Sequence, residues 1–138
     1  MRELPRQLSA EELAPLFSGH TRLVERLAVE EDPLGRAEEI VLAAPEEEQV
    51  EALAAHPRIG APSREQHGDE PEVLTRLAYL NQVYQEKFGF SFVVFVAGRP
   101  RRELVPVLEE RLARTREEEL ETGLRELCAI ARDRWTRI

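Results

Sequence analysis

Phe88-Gly89-Phe90-Ser91-Phe92-Val93-Val94-Phe95-Val96 is the stretch on which the fold turns. Its aromatic and β-branched residues favour extended backbone. An extended run becomes a sheet only with a partner, and the chain contains no second strand-like run. The N–H and C=O groups of this stretch must therefore be satisfied by loops, water or a ligand. Two readings follow, a set of main-chain amides lining a site and a buried connector between two helices. In both, the fold is all-α: a single-domain helical bundle over residues 1–138 with one short extended segment near 90–97.

Working outward, helix signals dominate. Upstream, 70–87 forms a long helix whose face Leu77, Asn81, Tyr84 and Phe88 has helical spacing and stops at Gly89. Asn81 is polar on an apolar stripe and is expected to tie down a neighbouring loop, because a buried amide must find partners. Downstream, one helix begins between Arg102 and Pro106 and ends about Ala113, and Thr115 with Glu118 makes a capping box opening another. On that last helix Leu120, Leu124, Leu127, Ala131, Arg134 and Ile138 share a face. Arg134 thus sits among apolar neighbours, where its guanidinium must meet an anion or several acceptors. The alternative is a structural arginine that snorkels or pairs with a core carboxylate. Nearer the N-terminus, Ser9 and Glu12 form a capping box for a short helix that Pro15 kinks or ends. Further helices run from about Thr21 to Glu30, from Gly35 to Ala43 and from Pro45 to Ala55, the last opening on Glu46-Glu47-Glu48, which suits the helix dipole.

With 138 residues the chain is one domain, large enough to bury a core without disulfide or metal staples. Hydrophobic residues make up 42% and charged residues 33%, the balance of a globular chain with many exposed helix faces. The longest apolar run, Phe92 to Ala97, is far too short to span a membrane, and no secretory signal is visible, so a cytoplasmic protein is expected. The lone Cys128 lies among helical core residues and reads as a small buried hydrophobe. A formal charge of −8 argues against a nucleic-acid partner but leaves a small anionic ligand open, since a cleft follows local charge.

The chemistry concentrates in His56-Pro57-Arg58-Ile59-Gly60-Ala61-Pro62-Ser63-Arg64-Glu65-Gln66-His67-Gly68-Asp69. Histidine titrates near neutrality and a buried glutamate can be tuned upward, so His56, Glu65 and His67 suit proton transfer. A polar surface loop between two helices is the plain alternative. His56, Glu65 and His67 match no standard metal-site spacing, and no metal is expected.

Taken in order, His56-Pro57-x-Ile59-Gly60, Glu65-Gln66-x-Gly68, Leu80-Asn81-x-x-Tyr84, Phe88-Gly89-Phe90-x-Phe92-Val93, Gly98-Arg99 and Ile130-Ala131-x-x-Arg134 resemble the decarboxylase acting on 2-oxo-4-hydroxy-4-carboxy-5-ureidoimidazoline, or OHCU. That family completes urate oxidation to (S)-allantoin. The resemblance implies a cofactor-free, often dimeric helical enzyme with a small ureidoimidazoline substrate. By position it makes His56 the proton donor and Glu65 the second catalytic group. Gln66 and Arg134 would bind the polar substrate, with Pro57 and the backbone of Phe92, Val93, Val94, Phe95 and Val96 lining the site. The family's serine three residues before the glutamate is here Pro62, so Ser63, one residue closer, is the candidate for that contact. A catalytically inactive helical interaction module, and a lyase or hydrolase acting on a related ureido compound, are the competing functions.

Overall fold

The computed structural model describes residues 6–57 and 71–137. Its helices are α1 (Ala10–Leu13), α2 (Arg22–Ala28), α3 (Ala37–Ala43), α4 (Glu46–Ala54), α5 (Pro71–Phe88), α6 (Arg101–Leu112) and α7 (Arg116–Thr136), and no strand occurs among the described residues. The local signals explain the boundaries. Ser9 and Thr115 each accept a hydrogen bond from the backbone N–H three residues on, while Glu12 and Glu118 reach back to the cap N–H, so both capping boxes close. Pro15 stops α1 after one turn. Gly89, at φ +82°, ends α5 in the left-handed region and donates its N–H to Gln85 O at 2.9 Å, a conformation only glycine adopts without strain.

The extended stretch is held by side chains, not by a ladder. Phe90, Phe92, Val93 and Val94 are buried, and the Tyr84 ring meets the edge or face of Phe88, Phe90 and Phe92 at centroid distances of 4.6, 6.0 and 5.2 Å. Arg111 Nη1 donates to Val93 O at 2.8 Å, and Arg99 donates from Nε to Val96 O at 2.9 Å and from Nη2 to Phe95 O at 2.6 Å. Glu126 accepts the Phe95 N–H at 3.3 Å. The N–H groups of Val93, Val94 and Val96 meet no acceptor among the described residues.

On α7 the buried face is Glu119, Gly123, Leu124, Leu127, Cys128, Ala131 and Trp135, with Leu120 only partly covered. The face is therefore rotated slightly from the sequence stripe, leaving Arg134 half-buried at its edge. Ile138 lies outside the described residues. Gly123 marks a close approach: a Cβ there would stand 3.3 Å from Leu53 Cδ2, so the missing side chain lets α4 lie tightly against α7. Arg116 on α7 with Glu46 on α4 (2.9 Å), and Arg125 with Glu38 on α3 (2.8 Å), fasten the same helix at its rim. Cys128 is buried as expected, and burial pushes its thiol up to about 12, which keeps it an inert core residue. Asn81 donates to Leu77 O at 2.9 Å within its own helix.

Glu119 is the exception in this core, a carboxylate with 0% exposure. It accepts from Tyr84 Oη (2.7 Å), Arg111 Nε (2.7 Å) and Arg114 Nη1 (3.0 Å), so α5, α6 and α7 converge on it. Burial and the Glu119 contact push the Tyr84 phenol above its ordinary value, and it stays a neutral donor. Glu119→Gln keeps the volume but strands the Arg111 guanidinium, and should lower stability by about 3–5 kcal/mol. Tyr84→Phe removes one donor to a charged acceptor and should lower it by about 1.5–3 kcal/mol. Urea unfolding checks both, and equal losses for the two variants would contradict the carboxylate's role as the junction.

Candidate active site

His56 sits just past α4, where its backbone N–H still bonds to Leu53 O at 3.3 Å. It is buried, at 8% exposure. Its Nδ1 faces Ser18 Oγ at 3.3 Å, and its Nε2 is buried with no hydrogen-bond partner among the described residues. Ser18 in turn accepts from Arg134 Nη1 at 2.8 Å. The same Nη1 donates to Pro15 O and Leu16 O, both at 3.2 Å, carbonyls left unclaimed where Pro15 ends α1. Arg134 Nε and Nη2 make no hydrogen bond among the described residues. Three distant segments thus meet: the α1–α2 turn, the end of α4, and the last turn of α7.

The electrostatics of His56 are set by a contest. A histidine at a helix C-terminus gains from the dipole about 0.3–1 kcal/mol in its charged form. Burial, and after it the Arg134 cation, act the other way and are stronger, holding the imidazole down at about 4. At neutral pH the free protein therefore carries His56 neutral.

Of the residues expected at the site, His56 and Arg134 are brought together through Ser18. Pro57 follows His56 directly and is exposed. Phe92, Val93 and Val94 put their side chains in the core, whereas Phe95 and Val96 are half-buried. Glu126, which holds the Phe95 amide, lies two turns before Arg134 on α7, roughly 12 Å of helix rise. Glu65, Gln66, Ser63 and His67 lie outside the described residues. Ser18 was not foreseen; the Ser18-Gly19 pair signals a turn, but nothing in it points to a histidine far along the chain. Among the described residues no group of three or more His, Cys, Asp or Glu could hold a metal ion.

Among the described residues, the all-helical domain thus sets a buried imidazole with one nitrogen braced and the other unpartnered beside a guanidinium with donors to spare. Comparison with known proteins gives this domain its family. The family model described as OHCU decarboxylase matches residues 30–136. The uric acid degradation bifunctional protein of Bacillus sp. (strain TB-90) is 31% identical over 105 residues, covering 67% of this chain and 21% of that protein. The 2-oxo-4-hydroxy-4-carboxy-5-ureidoimidazoline decarboxylase of Haloferax volcanii is 33% identical over 97 residues, covering 62% of this chain and 58% of the relative. The chain thus spans about a fifth of the bifunctional relative and under two thirds of the archaeal one. Among solved structures, an OHCU decarboxylase crystallised in the presence of (S)-allantoin superposes with a TM-score of 0.75 at 26% identity, over 83% of this chain and 88% of that one. An (S)-allantoin synthase shares the fold at a TM-score of 0.67 and 22% identity, over 92% of this chain and 50% of that one. The chain belongs to the OHCU decarboxylase family.

Because the folded state holds His56 at about 4 and the unfolded chain near 6.5, the unfolded state binds more protons between these values. His56 therefore contributes to stability above pH 6.5, and the contribution is lost as pH falls toward 4, by on the order of 3 kcal/mol. Urea unfolding at a series of pH values should show a shallower acid loss for His56→Asn than for wild type, and parallel curves would contradict the shift.

Proposed function

We propose that this protein decarboxylates 2-oxo-4-hydroxy-4-carboxy-5-ureidoimidazoline to (S)-allantoin in urate breakdown, with His56 delivering the proton that replaces the lost CO₂. The observation that carries the proposal is the buried His56, with Nε2 unpartnered among the described residues and Arg134 linked to it through Ser18. Family membership supplies the reaction, and the relative crystallised with (S)-allantoin is similar across most of both chains.

The chemistry asks little of a protein. Loss of CO₂ leaves an electron pair that the conjugated ring can hold, so neither metal nor pyridoxal is required as a sink. What remains is to orient the carboxylate and protonate one face. An anionic carboxylate bound beside His56 offsets the Arg134 cation and favours the imidazolium. When the carboxylate leaves as CO₂, that support disappears, and the imidazolium gives its Nε2 proton to the ring carbon. The balance is one carboxylate and one imidazolium converted to CO₂, a C–H bond and a neutral imidazole. Arg134 can offer Nε and Nη2 to the substrate while Nη1 remains anchored. Gln66 and Ser63 would share in binding the polar groups, Glu65 would position the substrate or His56, and Pro57 and the backbone of 92–96 would shape the wall, where the amides of Val94 and Val96, without an acceptor among the described residues, would supply donors. We read the enzyme as a cofactor-free homodimer of the cytoplasm.

The test follows freshly generated substrate by ultraviolet absorbance and product handedness by circular dichroism. Wild type should accelerate decay and give one enantiomer. His56→Asn should lower kcat about 10²- to 10⁴-fold without unfolding, the range for a lost general acid. Glu65→Gln should also slow turnover. Arg134→Lys should raise KM by about tenfold, since a point charge cannot replace the guanidinium fork. Slow racemic decay with wild type, equal to that without protein, would overturn the proposal in favour of an inactive interaction module.

Activity should also survive exhaustive chelation and dialysis. Turnover abolished by EDTA and restored by zinc would refute the cofactor-free reading.

A further inference from the structure

Ser18 is the residue at this site whose presence the family reading does not explain. Its backbone stands at φ +62°, in the left-handed region that costs a non-glycine residue about 1–2 kcal/mol. Glycine would occupy the position without strain, and Gly19 follows directly. The turn is closed by Gly19 N–H donating to Ala14 O at 3.0 Å and is seated against α4, where a Cβ on Gly19 would stand 3.5 Å from Ala55 Cβ. A strained serine at a position where glycine would be relaxed, with its hydroxyl between Arg134 and His56, points to work for its side chain.

We propose that Ser18 is a positioning residue for His56: its hydroxyl, held by Arg134, donates to Nδ1 and fixes the resting ring as the tautomer carrying its proton on Nε2. The role rests on the reading of His56 as proton donor, and its assignment comes from counting donors and acceptors. A guanidinium only donates, so at 2.8 Å Arg134 Nη1 must fill a lone pair of Ser18 Oγ. The hydroxyl hydrogen then needs an acceptor, and His56 Nδ1, at 3.3 Å, is the one found among the described residues. A proton on Nδ1 would direct two donors at Oγ and leave the hydroxyl hydrogen with no acceptor among the described residues. The cation also polarises the O–H bond and makes it the better donor. A hydroxyl has a further property that a carboxylate or a lysine lacks. It can turn to accept from Nδ1–H when the ring takes its second proton, at the cost of the hydroxyl hydrogen's own acceptor, so this arrangement is disfavoured at rest yet still holds the ring's aim in the imidazolium, with Nε2 toward the substrate.

The experiment uses the full chain labelled with ¹⁵N-histidine, read by long-range ¹H–¹⁵N spectra at neutral pH without substrate, with His56→Asn assigning the signals. In wild type, His56 Nδ1 should show the shift of an unprotonated nitrogen and Nε2 that of a protonated one. Ser18→Gly should bring both toward the average of mixed tautomers. It should lower kcat by about tenfold or more with KM changed by less than about threefold, because a ring no longer held at Nδ1 aims its Nε2 proton at the reacting carbon less often, which affects the chemical step. Relief of the left-handed strain should keep its melting temperature at or above that of wild type. Ser18→Ala, which keeps the Cβ but not the hydroxyl, should match Ser18→Gly in tautomer and kcat. A protonated Nδ1 in wild type, or unchanged spectra and kcat in both variants, would overturn the assignment. The spectra need no turnover, so an inactive wild type with the expected tautomer would refute the decarboxylase reading while supporting Ser18 as the residue that sets the ring.

Discussion

A carboxylate with no exposed surface cannot be left unpaired, and Glu119 is such a carboxylate. Tyr84, Arg111 and Arg114 converge on it, so α5, α6 and α7 are fixed to a single point. Arg111 carries the constraint further. It donates to Val93 O and lies over the Phe92 ring at 4.5 Å, so the same ion pair also positions the extended stretch. The extended stretch and the helix bearing Arg134 therefore share one origin. Replacing the whole cluster with well-packed apolar residues could match its stability. It could not reproduce the fixed register between the extended chain and α7, because apolar contacts carry no direction.

Much of the fold was legible in the sequence because its boundaries are written in local chemistry. The two capping boxes, Pro15, Asp32-Pro33, Pro45 and Gly89 each act within one turn of their own position, and each helix they delimit is present. The solitary aromatic run was readable as unpaired for the same reason. What satisfied it was only partly so, since Arg99 acts from just beyond the run while Arg111 and Glu126 reach it from later helices. The facing of α7 was slightly misjudged because Glu119 and Gly123 do not look like core residues. One is buried by its partners and the other by the close passage of Leu53.

The site was legible to a different degree. His56 and Arg134 stood out as residue types that burial makes chemically demanding, and the structure joins them. Ser18 was silent, because a serine before a glycine describes a turn and nothing more. Its place in the structure gives the histidine an electrostatic setting opposite to that of hydrolytic triads. There a carboxylate behind the ring stabilises the imidazolium and makes the histidine a base. Here the residue behind the hydroxyl is a cation, and the ring holds its extra proton weakly. An imidazolium formed in such surroundings is a strong acid.

The chain Arg134–Ser18–His56 also ties chemistry to folding history. Its two hydrogen bonds span 38 and 116 residues of sequence, so neither can form through local structure. Loops of this length close late, after the helices and their nearer contacts exist. An incompletely folded chain with a frayed α7 or an undocked first turn would carry a histidine that titrates like any other. The unusual acidity of His56 is thus a property of the finished molecule, and reports that α7 and the turn after α1 have reached their places.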